Sequence, residues 1–127
     1  MTYPEELLYT KDHEWLRKEE SKARVGVSSY AVEQLGDVVH VELPSIGTEF
    51  SEGEAIGTIE STKTVSDIYA PCKGKVVAIN EKLLDSPEAI AENPYEGGWL
   101  LEIEVEGSLE SELMSSDKYM DYLKSEH

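Results

Sequence analysis

Gly36-Asp37-Val38-Val39-His40-Val41 recurs thirty-eight residues later as Gly74-Lys75-Val76-Val77-Ala78-Ile79, and this repetition constrains the fold more than any other feature of the chain. A second pair follows in the same order, forty-four residues apart: Gly53-Glu54-Ala55-Ile56-Gly57-Thr58-Ile59-Glu60 and Gly97-Gly98-Trp99-Leu100-Leu101-Glu102-Ile103-Glu104. The six-residue difference falls in the connection 81–96, which is longer than its counterpart 43–52. Two matched, glycine-led segments rich in β-branched residues imply a fold of two similar β halves. Each half needs the other to bury its apolar face.

The rest of the chain fits around that plan. Short runs at Trp15-Leu16 and Ala23 to Val27, separated by the charged stretch Arg17 to Lys22, read as two strands joined by an exposed turn. Ser28-Ser29 offers a helix N-cap, Glu33 could answer it near the first turn, and Gly36 is placed to end a helix of about two turns. Further strands are expected at Val38 to Val41, Ala55 to Ile59, Val65 to Ile68, Val76 to Ile79 and Trp99 to Val105. Ser108 to Met114, and then Tyr119, Met120, Tyr122 and Leu123 at helical spacing, suggest two C-terminal helical pieces. The expected class is mostly β, a small sandwich or flattened barrel with one short helix in its first half and helices at the C-terminus. At 127 residues, 1–127 is read as a single domain with a sizeable core.

Twenty-seven acids against eleven bases give a net charge of −16, spread along the chain. Nucleic acid is an unsuitable partner for such a surface, because polyanion binding depends on basic patches that release counterions. Distributed negative charge suits solubility and steering toward basic docking faces. No stretch has the apolar length to cross a bilayer, and Met-Thr-Tyr-Pro-Glu-Glu lacks the basic lead and apolar core of a signal peptide, so a cytoplasmic location without membrane contact is expected. The lone Cys72 cannot form an internal disulfide and reads as a small packed residue; no Cys/His cluster suggests a metal. His13 and His40 have no nucleophile paired with them, and His40 falls within a strand pattern where a satisfied or solvent-facing imidazole is expected. Trp15, Trp99, Tyr69 and Tyr95 read as core and rim packing, and Gly36, Gly74 and Gly97 as turn glycines with positive φ.

Between the two copies of the repeat lies Ile59-Glu60-Ser61-Thr62-Lys63-Thr64-Val65-Ser66-Asp67-Ile68-Tyr69-Ala70-Pro71, which puts Lys63 at the seam where a protruding turn is expected. The turn has neither Asn-Gly nor Asp-Gly, so its position argues for it better than its composition does. Glu60, Lys63, Ser66-Asp67-Ile68, Ala70-Pro71, Gly74, Val76 and Asn80 resemble the lipoyl-attachment signature of glycine cleavage H proteins. The resemblance extends, in the same order, to His13-Glu14-Trp15, Tyr30-Ala31, Leu35-Gly36-Asp37-Val38-Val39, Val41-Glu42-Leu43-Pro44, Gly47 and Asn93-Pro94-Tyr95-Glu96-Gly97-Gly98-Trp99.

That resemblance implies lipoic acid bound covalently as N6-lipoyl-lysine at Lys63, on a non-catalytic carrier. Its implied partners are a glycine decarboxylase, an aminomethyltransferase, a dihydrolipoyl dehydrogenase and lipoate-attaching enzymes. The chain itself is expected to be monomeric. Acylation would turn the lysine's point charge into a neutral amide on a flexible stem, and tethering would raise the cofactor's effective concentration at each visiting active site. The resemblance also places Glu14 in a cleft that shelters the loaded arm, where a carboxylate could pair with its positive amine. Gln34 stands where related H proteins often carry a histidine, which puts proton handling at that position in doubt.

Four alternatives stand against this assignment. A biotinyl carrier resembles this plan but has methionine on both sides of its lysine, where this chain has Thr62 and Thr64. The lipoyl domain of a 2-oxoacid dehydrogenase is smaller, usually has Asp-Lys-Ala at the turn and is tethered to a catalytic domain. An H-like lipoate donor in a relay or modification pathway would use the same attachment site. A free-standing enzyme has little support, because no nucleophile, base and orienting group converge.

Overall fold

The computed structural model describes residues 3–106 and 113–126. The N-terminal stretch supplies strands β1 (Leu8–Tyr9), β2 (Glu14–Glu19) and β3 (Lys22–Val27), followed by helix α1 (Ser29–Leu35). Strands β4 (Val38–Glu42), β5 (Glu49–Phe50), β6 (Ala55–Ser61), β7 (Val65–Tyr69) and β8 (Gly74–Ile79) come next. Two single-turn helices, α2 (Lys82–Asp85) and α3 (Ala89–Glu92), lead to β9 (Leu101–Val105) and the C-terminal helix α4 (Ser116–Glu126).

Each copy of the repeat folds into an antiparallel pair, β4 with β6 and β8 with β9. Both pairs break register at the same place in the repeat, between Val38 and His40 in one and between Val76 and Ala78 in the other. A shared bulge of this kind is a designed bend and not an accident of sequence, so the two halves are alike in their backbone. They go to opposite sides. The first joins a three-stranded sheet, β4-β6-β7, and the second a six-stranded sheet of order β1-β2-β3-β9-β8-β5. The sheets do not close on each other, so the open sandwich and not the barrel describes the fold.

Alternation along the strands fills the space between the sheets. Val41, Ile59 and Ile68 from one side and Leu16, Val25, Val76, Leu101 and Ile103 from the other belong to one core. A second, aromatic core forms where α4 meets β1: Leu7, Tyr9, Trp15, Tyr119 and Leu123 are buried together. The Tyr9 and Tyr119 rings stack with centroids 4.7 Å apart and planes 5° apart. Trp15 lies in the same cluster, and its indole N–H donates to the Pro94 carbonyl at 2.9 Å.

Several local expectations need correction. Met114 is not helical; it forms an isolated antiparallel bridge with Tyr9, exchanging two backbone hydrogen bonds of 2.8 Å. Leu113 is not helical either, and the remainder of the first C-terminal helical piece, Ser108 to Glu112, lies outside the described residues. Strand β9 begins at Leu101 and not at Trp99. Among the described residues the positive-φ glycines are Gly36, Gly47 and Gly53, so Gly74 and Gly97 do not serve left-handed turns. A Cβ at Gly74 would run into the Glu104 carbonyl oxygen, so this glycine is there for close approach of β8 to β9, whereas open space surrounds Gly97.

Candidate functional site

The β6–β7 hairpin turns at Thr62 and Lys63 without left-handed backbone at either residue. Ser61 makes this possible. Its backbone N–H donates to the Thr64 carbonyl at 2.8 Å, while its hydroxyl oxygen accepts from the Lys63 and Thr64 N–H groups at 3.2 and 3.1 Å. A serine side chain thus stands in for the backbone acceptor of a tight turn. Thr62 N–H also donates to the Asp37 carbonyl at 3.0 Å, which anchors the tip to the segment after α1. Thr62, Lys63, Thr64 and Val65 are all exposed.

The Lys63 stem lies over Gly36. Gly36 caps α1 with φ 80°, its N–H donating to the Val32 carbonyl, and a Cβ there would stand 3.2 Å from Lys63 Cε and 3.6 Å from Nζ. Glycine therefore serves both the left-handed cap and the passage of the lysine stem.

Beside the hairpin opens a cleft of about 150 Å³. Its walls come chiefly from three places, with Val27 at the end of β3 beside them: Asp12, His13 and Glu14 leading into β2; Tyr30, Ala31, Gln34 and Leu35 on α1; and Ile59, Thr64, Ser66 and Asp67 on the β6–β7 hairpin. Val27, Ala31, Leu35 and Ile59 make it apolar in part, three acids face it, and neither lysine nor arginine is among its described lining. A second cavity, about 230 Å³, lies across the Asp12 turn and includes neither Lys63 nor Glu14.

Glu14 is 2% exposed. Its Oε2 accepts the Tyr69 N–H at 2.7 Å, and its Oε1 is buried with no hydrogen-bond partner among the described residues. Burial pushes this carboxyl well above the usual carboxylate range; the Tyr69 N–H opposes that shift and the Asp12 charge adds to it. A buried acid with one oxygen unsatisfied is poised to receive a cation or a hydrogen-bond donor.

The neighbouring His13 holds φ 67°, a region that non-glycine residues seldom occupy. Its carbonyl accepts the Ser28 N–H at 2.9 Å, and its Nδ1 shares a 2.9 Å hydrogen bond with the Tyr119 hydroxyl. Ser28 is the α1 N-cap, its Oγ accepting the Ala31 N–H at 3.3 Å. Burial pushes the Tyr119 hydroxyl up from its ordinary value, so it stays protonated at neutral pH.

Residues 7–126 match the family model described as Glycine cleavage H-protein. The chain belongs to this family. It is similar to the glycine cleavage system H protein of Listeria innocua serovar 6a, with 52% identity over 120 residues that cover 94% of this chain and 96% of that one. It is also similar to the glycine cleavage system H protein of Oceanobacillus iheyensis, with 46% identity over 125 residues covering 98% and 99% of the two chains. The fold matches the crystal structure of a glycine cleavage system H protein from Mycobacterium marinum with a TM-score of 0.90, at 40% identity and coverage of 96% of this chain and 99% of that one.

Within this H-protein fold, the two residues singled out from the sequence fall in one region, Lys63 on the hairpin tip and Glu14 buried in the cleft that the hairpin helps to wall. His40 is exposed on β4, and Cys72 is buried with its thiol pushed up to about 11, chiefly by burial, which leaves it unreactive. Asp12 and Asp67 also face the cleft. Ser28 and Tyr119 join the site through contacts that cross 91 residues of chain, which no local motif announces. Among the described residues no group of three His, Cys, Asp or Glu side chains could hold a metal, and no helix is long and apolar enough to cross a membrane.

Proposed function

We propose that this chain is the lipoyl-carrying shuttle of a glycine cleavage system, a non-catalytic carrier with lipoate in amide linkage to Lys63 Nζ. In this reading it takes an aminomethyl group from glycine decarboxylase to the aminomethyltransferase and is then reoxidised by dihydrolipoyl dehydrogenase. The observation that carries the reading is the conjunction, in a member of the H-protein family, of an exposed lysine at a hairpin tip with a cleft beside it that holds a buried, half-satisfied carboxylate.

The residues present fit the cofactor. Val27, Ala31, Leu35 and Ile59 would hold its aliphatic arm, and Glu14 would meet a positively charged end. When bound, the lipoyl dithiolane supplies the sulfur pair that accepts and releases the one-carbon amine. All else is the protein's part. The turn built on Ser61 holds Lys63 out where an acylating enzyme can reach its amine. The absence of a side chain at Gly36 lets the stem lie across the end of α1. An arm seated in the cleft would displace water from it, which suppresses hydrolysis of what the cleft shelters. Glu14 gains a counter-charge when a cation enters, so the cost of burying its ionised form is offset only in the loaded state.

Lys63→Arg keeps the charge but cannot form the amide. The variant should fold as the parent does, take up no lipoate in the presence of a lipoate-attaching enzyme, and support no glycine cleavage when mixed with the other components. Parental activity from Lys63→Arg would rule the assignment out.

A further inference from the structure

We propose that Tyr119 is a positioning residue whose hydroxyl, delivered by the C-terminal helix, holds two walls of the cleft together and thereby sets how well the cleft excludes water. The inference rests on the sheltering role given to the cleft above.

The Tyr119 ring needs no hydroxyl to stay in place. It is fully buried, stacked on Tyr9 and met edge-on by Tyr3 at 5.4 Å. The hydroxyl nevertheless leaves this aromatic cluster and reaches Ser28 Oγ at 2.7 Å and His13 Nδ1 at 2.9 Å. Those two residues belong to different walls, Ser28 to α1 as its cap and His13 to the turn that delivers Glu14. One orientation of protons satisfies the whole chain of contacts: Ala31 N–H donates to Ser28 Oγ, Ser28 donates to Tyr119, and Tyr119 donates to His13 Nδ1, the imidazole proton being on Nε2. His13 is also the residue in left-handed backbone, a conformation that persists only where the surroundings over-determine it. The third wall is tied separately, through Glu14 Oε2 and the Tyr69 N–H.

Tyr9 is the matched control. It sits in the same cluster, equally buried, but its hydroxyl donates to the Pro4 carbonyl at 2.9 Å and touches neither wall. Tyr9→Phe and Tyr119→Phe each remove one hydroxyl from the aromatic core. Only the second cuts the tie.

The test uses the full lipoylated chain as parent, Tyr119→Phe and Tyr9→Phe, with Ser28→Ala cutting the same tie from its other end should Tyr119→Phe fold poorly. Two quantities are read. The first is hydrogen exchange at the residue 28 amide, which spans the two walls by donating to the His13 carbonyl. The second is loss of the aminomethyl group to water, in which water's oxygen passes to formaldehyde, the sulfur leaves as thiol and the nitrogen as ammonium. Loss of one hydrogen bond should speed both by roughly three- to tenfold in Tyr119→Phe, with Tyr9→Phe close to the parent and all chains lipoylated at one rate. Exchange at residue 28 no faster in Tyr119→Phe than in Tyr9→Phe would overturn the tie. A parent that loses its aminomethyl group as fast as a free lipoamide adduct would instead overturn the sheltering role, whatever the exchange rates.

Discussion

Glu14 contributes to stability in a direction opposite to most carboxylates. Its folded-state pKa is raised by burial above the unfolded value, so the folded protein holds a proton that the unfolded chain would release. The associated stability is fully present below about pH 4.3, the ordinary glutamate value, and is lost as pH rises through the folded-state pKa. Glu14→Gln keeps an acceptor for the Tyr69 N–H and removes the ionisation. Thermal melts should therefore show the variant gaining on the parent as pH is raised from 4 upward; a difference that stays constant with pH would mean that Glu14 titrates as an exposed acid. The sequence pointed to Glu14 only through the His13-Glu14-Trp15 resemblance. That Glu14 is buried, with one oxygen satisfied from β7, depends on Tyr69 coming to it from fifty-five residues away, and no local pattern encodes such a contact.

At the scale of elements, the hairpin that presents Lys63 depends on one side chain. Ser61 is buried, and its hydroxyl closes the turn against two N–H groups. Ser61→Ala should destabilise the fold by about 1 kcal/mol and, more tellingly, speed hydrogen exchange at the Lys63 and Thr64 amides beyond that global change. Uniform acceleration across the chain would show that the turn holds without the hydroxyl. The paired valines made the repeated strands readable, and Ser28 and Gly36 fulfilled their expected capping of α1. Strands β1 and β5 are two residues each, too short for alternation to show, and α2 and α3 are single turns in a connection whose buried Leu83 and Ile90 have no helical neighbours to set a period. Met114 has the composition of a helical residue, but pairing with the β1 edge prevails over local propensity. The mechanism of the hairpin was also hidden, since a turn without glycine gives no compositional sign until the serine hydroxyl is seen to close it.

For the molecule as a whole, a net charge of −16 gives a long-range negative field. Steering of this kind raises association rates by roughly 10- to 1,000-fold and is screened by salt. Stopped-flow association with a partner enzyme should slow by at least about tenfold between about 0.01 M and about 0.15 M ionic strength, with a smaller change in the dissociation rate. A salt-independent on-rate would reduce the acidic surface to a solubility device. The central claim, however, concerns a single amine. Peptide-level mass spectrometry after expression with lipoate and a lipoate-attaching enzyme should find one lipoyl group, confined to the peptide that contains Lys63. A fully active sample with the group on any other residue, or with none, would contradict the account.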